Sequence, residues 1–231
     1  MTSSQLASVS RGTLGDSVYD SIRAAVIEHL IAPGDRLGIE SMARELGVSP
    51  TPVREALARL SAEGLATYEP LVGYRVSEPL NPLQFDQLME ARFVMEPRLA
   101  ALAAQRYGQR PGPDLRSLAT GKTMTQKSSG IGGTSNTDYR ASAAGDAALH
   151  QAIADAARSS FLADALAALG SHLHIYRLHN PVDSRTESLQ EHLAIVDAIE
   201  AGDPVGAEAA MLAHLDGSYH RHSVGLKVEE G

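Results

Sequence analysis

Ser41-Met42-Ala43-Arg44-Glu45-Leu46-Gly47-Val48-Ser49-Pro50-Thr51-Pro52-Val53-Arg54-Glu55-Ala56-Leu57-Ala58-Arg59-Leu60-Ser61-Ala62-Glu63-Gly64 reads as two short helices around a tight turn. Residues 41–46 predict the first helix, with Met42, Ala43 and Leu46 on one face. Gly47 is a stop signal for it, and Val48 supplies an apolar plug between the helices. Ser49 suits the cap of the second helix, and Pro50 fits its first turn, where a missing N–H costs nothing. If Val53, Ala56, Leu57 and Leu60 face inward, then Thr51, Arg54, Glu55, Ala58 and Arg59 face outward.

Upstream, Val18, Ile22, Ala25, Val26 and Leu30 recur at helical spacing from Asp16 until Pro33-Gly34. Downstream, two short extended runs at 65–69 and 74–76 are joined through Pro70 and Gly73, as in a β-hairpin or wing. Pro79 and Pro82 mark a linker. Beyond it the patterns are helical at 83–107, 139–158, 161–179, 186–201 and 205–222. Residues 121–137 are too rich in Gly, Ser and Thr for a long helix, and Pro113-Asp114 is a short helix start. The expected organisation is a tail (1–14), a winged helix-turn-helix (15–78), a linker (79–82), an all-α antiparallel bundle (83–223) and a tail (224–231), a mainly α fold.

Composition sets limits. The chain of 231 residues is 43% hydrophobic but only 4% aromatic, so its core must come from Ala, Leu, Val and Ile, which favours helices. It has no Cys, which excludes disulfides, thiolate metal sites and cysteine nucleophiles. Neither a signal-peptide run nor a membrane-length apolar stretch is visible, so a cytoplasmic protein without membrane contact is expected. The formal net charge is −8, and residues 1–80 carry 7 Arg, no Lys and 10 carboxylates, a net of −3. Nucleic-acid binding needs positive charge at the phosphates, so any such face must be local.

A helix-turn-helix lays the N-terminal end of its second helix in the major groove. Thr51 and Arg54 occupy that end here. Arg54 can bind guanine bidentately or grip a phosphate, and Ser49 and Thr51 can reach phosphate or base edges. Arg44 and Arg59 are further phosphate candidates, and Gly73 and Arg75 belong to the wing. On helix spacing alone, a trihelical core with ordinary surface arginines fits equally well. The wording of 33–76 adds to this. Gly34-Asp35-Arg36-Leu37, the run from Met42 to Leu60 and Glu63-Gly64-Leu65 closely resemble the N-terminal domain of GntR-family transcription regulators. That resemblance implies a dimer reading a palindromic operator in double-stranded DNA. Two departures stand out: some members have Arg in place of Glu40, and many have Arg in place of Pro50.

The second part carries histidines in pairs. Asp146 and His150 are four apart and share a helix face. His192 precedes Gly202 by ten residues and His214 follows it by twelve. At about 1.5 Å per residue they stand roughly 15 and 18 Å from the turn, at nearly the same height on antiparallel helices. One carboxylate and three imidazoles suit Zn²⁺, Ni²⁺ or Mn²⁺ with one or two positions left open. The alternative is a set of unrelated polar positions in a bundle. Residues 83–222 resemble the FCD ligand-binding domain of the FadR subfamily, on Glu90-Ala91-Arg92 with Glu96, Asp146 with His150, Glu191-His192, Ala198-Ile199 with Gly202-Asp203, and Met211 with His214-Leu215. The resemblance implies a divalent metal on Asp146, His150, His192 and His214, and a small carboxylate effector completing its coordination. Arg92 then fits as the effector's anion partner, or alternatively as a salt bridge to Glu96. His172 and His174 are further effector-pocket candidates, with polar lining as their plainer reading.

The expected function is a ligand-responsive repressor rather than an enzyme. A metal-dependent enzyme on the same cluster is the competing reading. Against it, the sequence has no HExxH motif and no phosphate loop, and Glu191 is the only obvious base.

Overall fold

The structure is a computed structural model that describes residues 14–27, 29–109, 112–121, 136–178 and 185–226, side chains at 136–143, 185–186 and 224–225 excepted. The expected N-terminal tail up to residue 13, the stretch 122–135, His179 and residues 227–231 lie outside the described residues. The chain divides into two compact units, Met1–Glu78 and Pro79–Gly231.

The first unit is built on three helices, α1 (Leu14–Ile27), α2 (Ile39–Leu46) and α3 (Pro50–Ala62), and three short strands, β1 (Arg36–Leu37), β2 (Ala66–Glu69) and β3 (Gly73–Val76). The inner face of α3 is the one its spacing predicts: Val53, Ala56, Leu57 and Leu60 are all at most 1% exposed. Helix α1 packs on it through Val18, Tyr19, Ile22, Val26 and Ile27. Leu30 and Leu46, both expected on apolar faces, are exposed instead. Leu30 falls past the end of α1, and Leu46 is the last residue of α2. The strands form an antiparallel sheet in the order β1-β3-β2, with Arg36 opposite Arg75 and Thr67 opposite Arg75 on the other side. Strand β1 has no counterpart in the sequence reading, because two residues carry no readable alternation. The hairpin between β2 and β3 is the wing. Gly73 opens β3 at φ 99°, a conformation that favours glycine.

Tyr19 ties α1 to the end of α3. Its hydroxyl donates to Glu63 Oε1 at 2.5 Å, and its ring lies under the Arg59 guanidinium at 3.8 Å from the centroid. Burial and the adjacent Glu63 push the Tyr19 phenol up to about 12.

Among the described residues the second unit has helices alone: α4 (Pro82–Arg106), α5 (Leu115–Thr120), α6 (Asn136–Ala156), α7 (Ser160–Leu169), α8 (Ser171–Arg177), α9 (Arg185–Glu200) and α10 (Pro204–Leu226). Helix α4 starts with a capping box, Asn81 accepting from the Gln84 N–H while the Gln84 side chain accepts from the Asn81 N–H. It packs against α10 and α6, and α10 against α9. The core is aliphatic, with Leu99, Leu115, Leu149, Ile153, Ile195, Val196, Ile199, Met211 and Leu215 each 1% exposed or less. The single helix expected over 161–179 is two helices. Gly170 adopts φ 55° between them, a left-handed conformation that ends α7 and redirects the chain. This break carries Ser171 and His172 toward the core on a separate short helix.

Truncating Leu57, which is fully buried, to Ala should cost about 2–5 kcal/mol in the stability of the first unit. A denaturant titration reads this directly. An Arg54→Ala variant, altered on the exposed face of the same helix, should unfold with the wild type.

Candidate functional site

Two sets of side chains present chemistry, one in each unit. In the first, the turn between α2 and α3 is closed by Gly47 at φ 67°, with the Val48 N–H donating to the Ala43 carbonyl at 2.9 Å. Ser49 occupies the cap position of α3, but its side chain makes no capping hydrogen bond, so the hydroxyl stays on the surface. Pro50 and Pro52 leave only Ser49 and Thr51 with backbone N–H groups at this helix start. Thr51, Arg54 and Arg44 are exposed, and among the described residues neither arginine has a hydrogen-bond or ion-pair partner. Arg59 and Arg75 differ. Arg59 Nη1 donates to Asp16 Oδ1 at 3.0 Å while stacking on Tyr19. Arg75 Nη1 donates to the Gly34 carbonyl at 3.0 Å, and its Nε lies 3.7 Å from Glu69. Both are tied inside the unit, which sets them apart from Arg44 and Arg54.

In the second unit, Asp146 and His150 project from one face of α6 and meet His192 of α9 and His214 of α10. One ligand-type atom from each lies within 4.8 Å of all the others. Asp146 Oδ1 is 3.0 Å from His192 Nε2 and 3.8 Å from His150 Nε2. The Nε2 atoms of His150 and His214 face each other at 3.2 Å. The three imidazoles are 0–3% exposed. His192 supplies a direct test of fit. Its Nε2 lies near Asp146 without hydrogen-bond alignment, and its buried Nδ1 has no partner among the described residues. Burying unpaired polar nitrogens is costly. A divalent cation between the four residues fits this donor set.

Two of the rings, those of His150 and His214, are held in the state a metal requires. Burial pushes His150 down to about 3, against the pull of Glu96 beside it, and burial also lowers His214. Neutral imidazole is the ligand form. Burial works against the Asp146 charge, yet His172 beside it, which donates a hydrogen bond, and the neighbouring His192 and His150 imidazoles hold this carboxyl well below the usual range.

The other sequence candidates fall at different distances from this centre. His172 Nδ1 donates to Asp146 Oδ2 at 2.8 Å, and its ring stands 4.6 Å from that of His150. None of the cluster's hydrogen bonds among the described residues involves His174, whose imidazole is lowered by burial and by nearby Arg177. Arg92 is 1% exposed. Its Nε donates to Glu96 Oε1 at 2.5 Å, and its Nη2 is buried without a partner. The ion pair to Glu96 that the sequence left as an alternative is therefore present, with one N–H group still to be satisfied.

The sequence reading gave four further participants no part in holding the metal site. Glu96 contacts His150 Nδ1 through Oε2. Glu191 accepts from His214 Nδ1 at 2.8 Å and from Arg221 at 2.7 and 2.8 Å. Burial raises the Glu191 carboxyl, but His214 and Arg221 outweigh it and bring it down to about 2. His222 is lowered by burial, and both Asp146 and Arg92 act on its charge, which places it beside the cluster. Only the four-residue spacing from Arg92 to Glu96 hinted at a shared face, and the partners of Glu191 lie on another helix.

These shifts share one sign. Between about pH 6.5 and 3 the unfolded chain binds protons that folded His150 refuses, so folding weakens as pH falls through that window. Glu96, Asp146 and Glu191, held low in the folded state, add to the loss below about pH 4.5. In chelator, the unfolding midpoint of the second unit should therefore drop steadily from pH 7.5 to pH 4. A flat profile would contradict the arrangement.

Comparison with known proteins agrees with both halves. Residues 14–76 match the model for bacterial regulatory proteins of the gntR family, and residues 87–217 match the FCD domain. The "Probable D-xylose utilization operon transcriptional repressor" of Paenarthrobacter nicotinovorans is 33% identical over 214 residues, covering 90% of this chain and 88% of the relative. The HTH-type transcriptional regulator LutR of Bacillus subtilis is 30% identical over 80% of this chain and 90% of the relative. The solved structure of E. coli McbR/YncC shares the fold with a TM-score of 0.68 at 23% identity, covering 96% of this chain and all of that one. These matches set aside the metal-dependent enzyme. The chain belongs to the GntR family of bacterial regulatory proteins, with an FCD domain as its second part, and is a DNA-binding transcription regulator.

Proposed function

We propose that this regulator is a repressor whose FCD domain senses a small organic acid at a metal centre. The observation that carries the reading is the convergence of Asp146, His150, His192 and His214 beside the buried, unpartnered Nη2 of Arg92. A metal there would be Zn²⁺, with Ni²⁺ or Mn²⁺ as alternatives, and would supply a Lewis-acid seat for an effector carboxylate. Arg92 is suited to pair with such a carboxylate through Nη2 while its Nε stays on Glu96. His172 acts chiefly through Asp146 in this reading, and His174 belongs to the outer lining.

DNA reading falls to the exposed start of α3. Arg54 and Thr51 are placed to meet base edges, with Arg44, Ser49 and the wing at Gly73 on phosphates and the adjoining groove. Arg59 and Arg75 serve the unit's own stability. A homodimer presenting two such heads would match a palindromic operator. The effector would release DNA by binding more tightly to a head spacing that no longer fits the operator. No helix among the described residues is long and apolar enough to cross a membrane, which accords with a cytoplasmic regulator.

Two measurements test this. In a gel-shift titration with DNA from upstream of the protein's own gene, Arg54→Ala should lose specific binding, by about 1–3 kcal/mol or more. Arg59→Ala should instead lower the melting temperature. Normal operator binding by Arg54→Ala would mean the recognition face is elsewhere. Protein purified without a His tag should contain about one divalent metal per chain, which His192→Ala should lose. Trace metal that leaves on mild dialysis would count against the centre.

A further inference from the structure

The two imidazoles that face each other across the cluster are supported in the same way by unrelated parts of the chain. His150 Nδ1 meets Glu96 Oε2 on α4, and Glu96 Oε1 accepts from Arg92 Nε at 2.5 Å. His214 Nδ1 donates to Glu191 Oε2 on α9, and both Glu191 oxygens accept from the Arg221 guanidinium on α10. Each is an arginine–glutamate–histidine relay ending on an Nε2, and the two Nε2 atoms are 3.2 Å apart. His192 lacks such a relay, since its Nδ1 is unpartnered.

The chemistry of the relay is specific. An ionised carboxylate only accepts, so the proton of each imidazole must sit on Nδ1 and the lone pair on Nε2. That fixes the tautomer and the ring orientation a metal needs. The arginines hold the carboxylates in place and ionised. A buried ion pair such as Arg92–Glu96 is a poor means of stabilising a core, because its desolvation offsets its attraction. That buried pair and the partly buried Arg221–Glu191 pair each end on a proposed ligand, which calls for another role.

We propose that Glu96 and Glu191, each held by its arginine, are positioning residues that set the metal affinity of the centre by turning Nε2 of His150 and His214 toward the ion. The proposal rests on the metal reading given above.

The test is a competition titration of tag-free, chelator-stripped protein with Zn²⁺ against a chromophoric chelator. Each variant's metal-free melting temperature and its Co²⁺ absorption spectrum are recorded alongside. Glu191→Gln, on the less buried relay, should raise the dissociation constant about 10–100-fold at a temperature and pH where its metal-free form remains folded. Glu96→Gln alone would strand a buried arginine. The charge-neutral pair Arg92→Met with Glu96→Gln is used for that relay and should show the same loss. His220→Gln, an exposed change on α10, should bind as the wild type does. Altered Co²⁺ bands in the relay variants, with weaker binding, support positioning. Relay variants that bind Zn²⁺ within twofold of wild type, or that only melt earlier, overturn the proposal and leave the metal reading standing. Wild-type protein that takes up none of Zn²⁺, Ni²⁺ or Mn²⁺ overturns the metal reading, and this proposal with it.

Discussion

An imidazole buried in hydrocarbon must satisfy two nitrogens, and three of them are buried together in the second unit. The surrounding core offers little help, being almost entirely Ala, Leu, Ile and Val. Every polar group near the cluster follows from that requirement. His150 draws Glu96 inside, Glu96 draws Arg92, His214 draws Glu191 and Arg221, and Asp146 draws His172. Among the described residues, buried nitrogens of His192, His172 and Arg92 still lack hydrogen-bond partners. The bundle is thereby committed to one helix register, since sliding any of α4, α6, α9 or α10 by a turn would leave several buried charges and nitrogens without partners.

Much of this was readable in the chain before its fold. The inward stripe of α3 follows from Val53, Ala56, Leu57 and Leu60 at helical spacing. The meeting of Asp146 and His150 with His192 and His214 follows from a four-residue step and from near-equal distances to Gly202. Local rules serve these positions because one helix, or one tight turn, sets the geometry. The backing carboxylates were not readable for the opposite reason. Glu96 and His150 are 54 residues apart and Glu191 and His214 are 23 apart, so only the packed bundle brings them together. A glutamate beside apolar residues on a helix looks like part of a solvated face until the facing helix is known.

Helix ends produced the remaining differences. The apolar periodicity continues across Gly170, so 161–179 reads as one helix although the backbone turns left-handed there. Leu30 and Leu46 obey the period but fall past or at the end of their helices. Hydrophobic spacing records which face is apolar; it does not record where a helix ends.

Among its described residues the first unit binds up three arginines internally, Arg23 on Glu63, Arg59 on Tyr19 and Asp16, and Arg75 on the Gly34 carbonyl. Its recognition helix begins with two prolines among its first three residues, so it also offers few backbone amides to a phosphate. Attraction to DNA of arbitrary sequence grows with each phosphate neutralised, by a log–log salt slope of about −0.9 apiece. A head with few free cations among its described residues would hold random chromosome weakly. It would search by brief landings and hops rather than by long slides, and its occupancy of the operator would depend on the fit at base edges far more than on bulk charge.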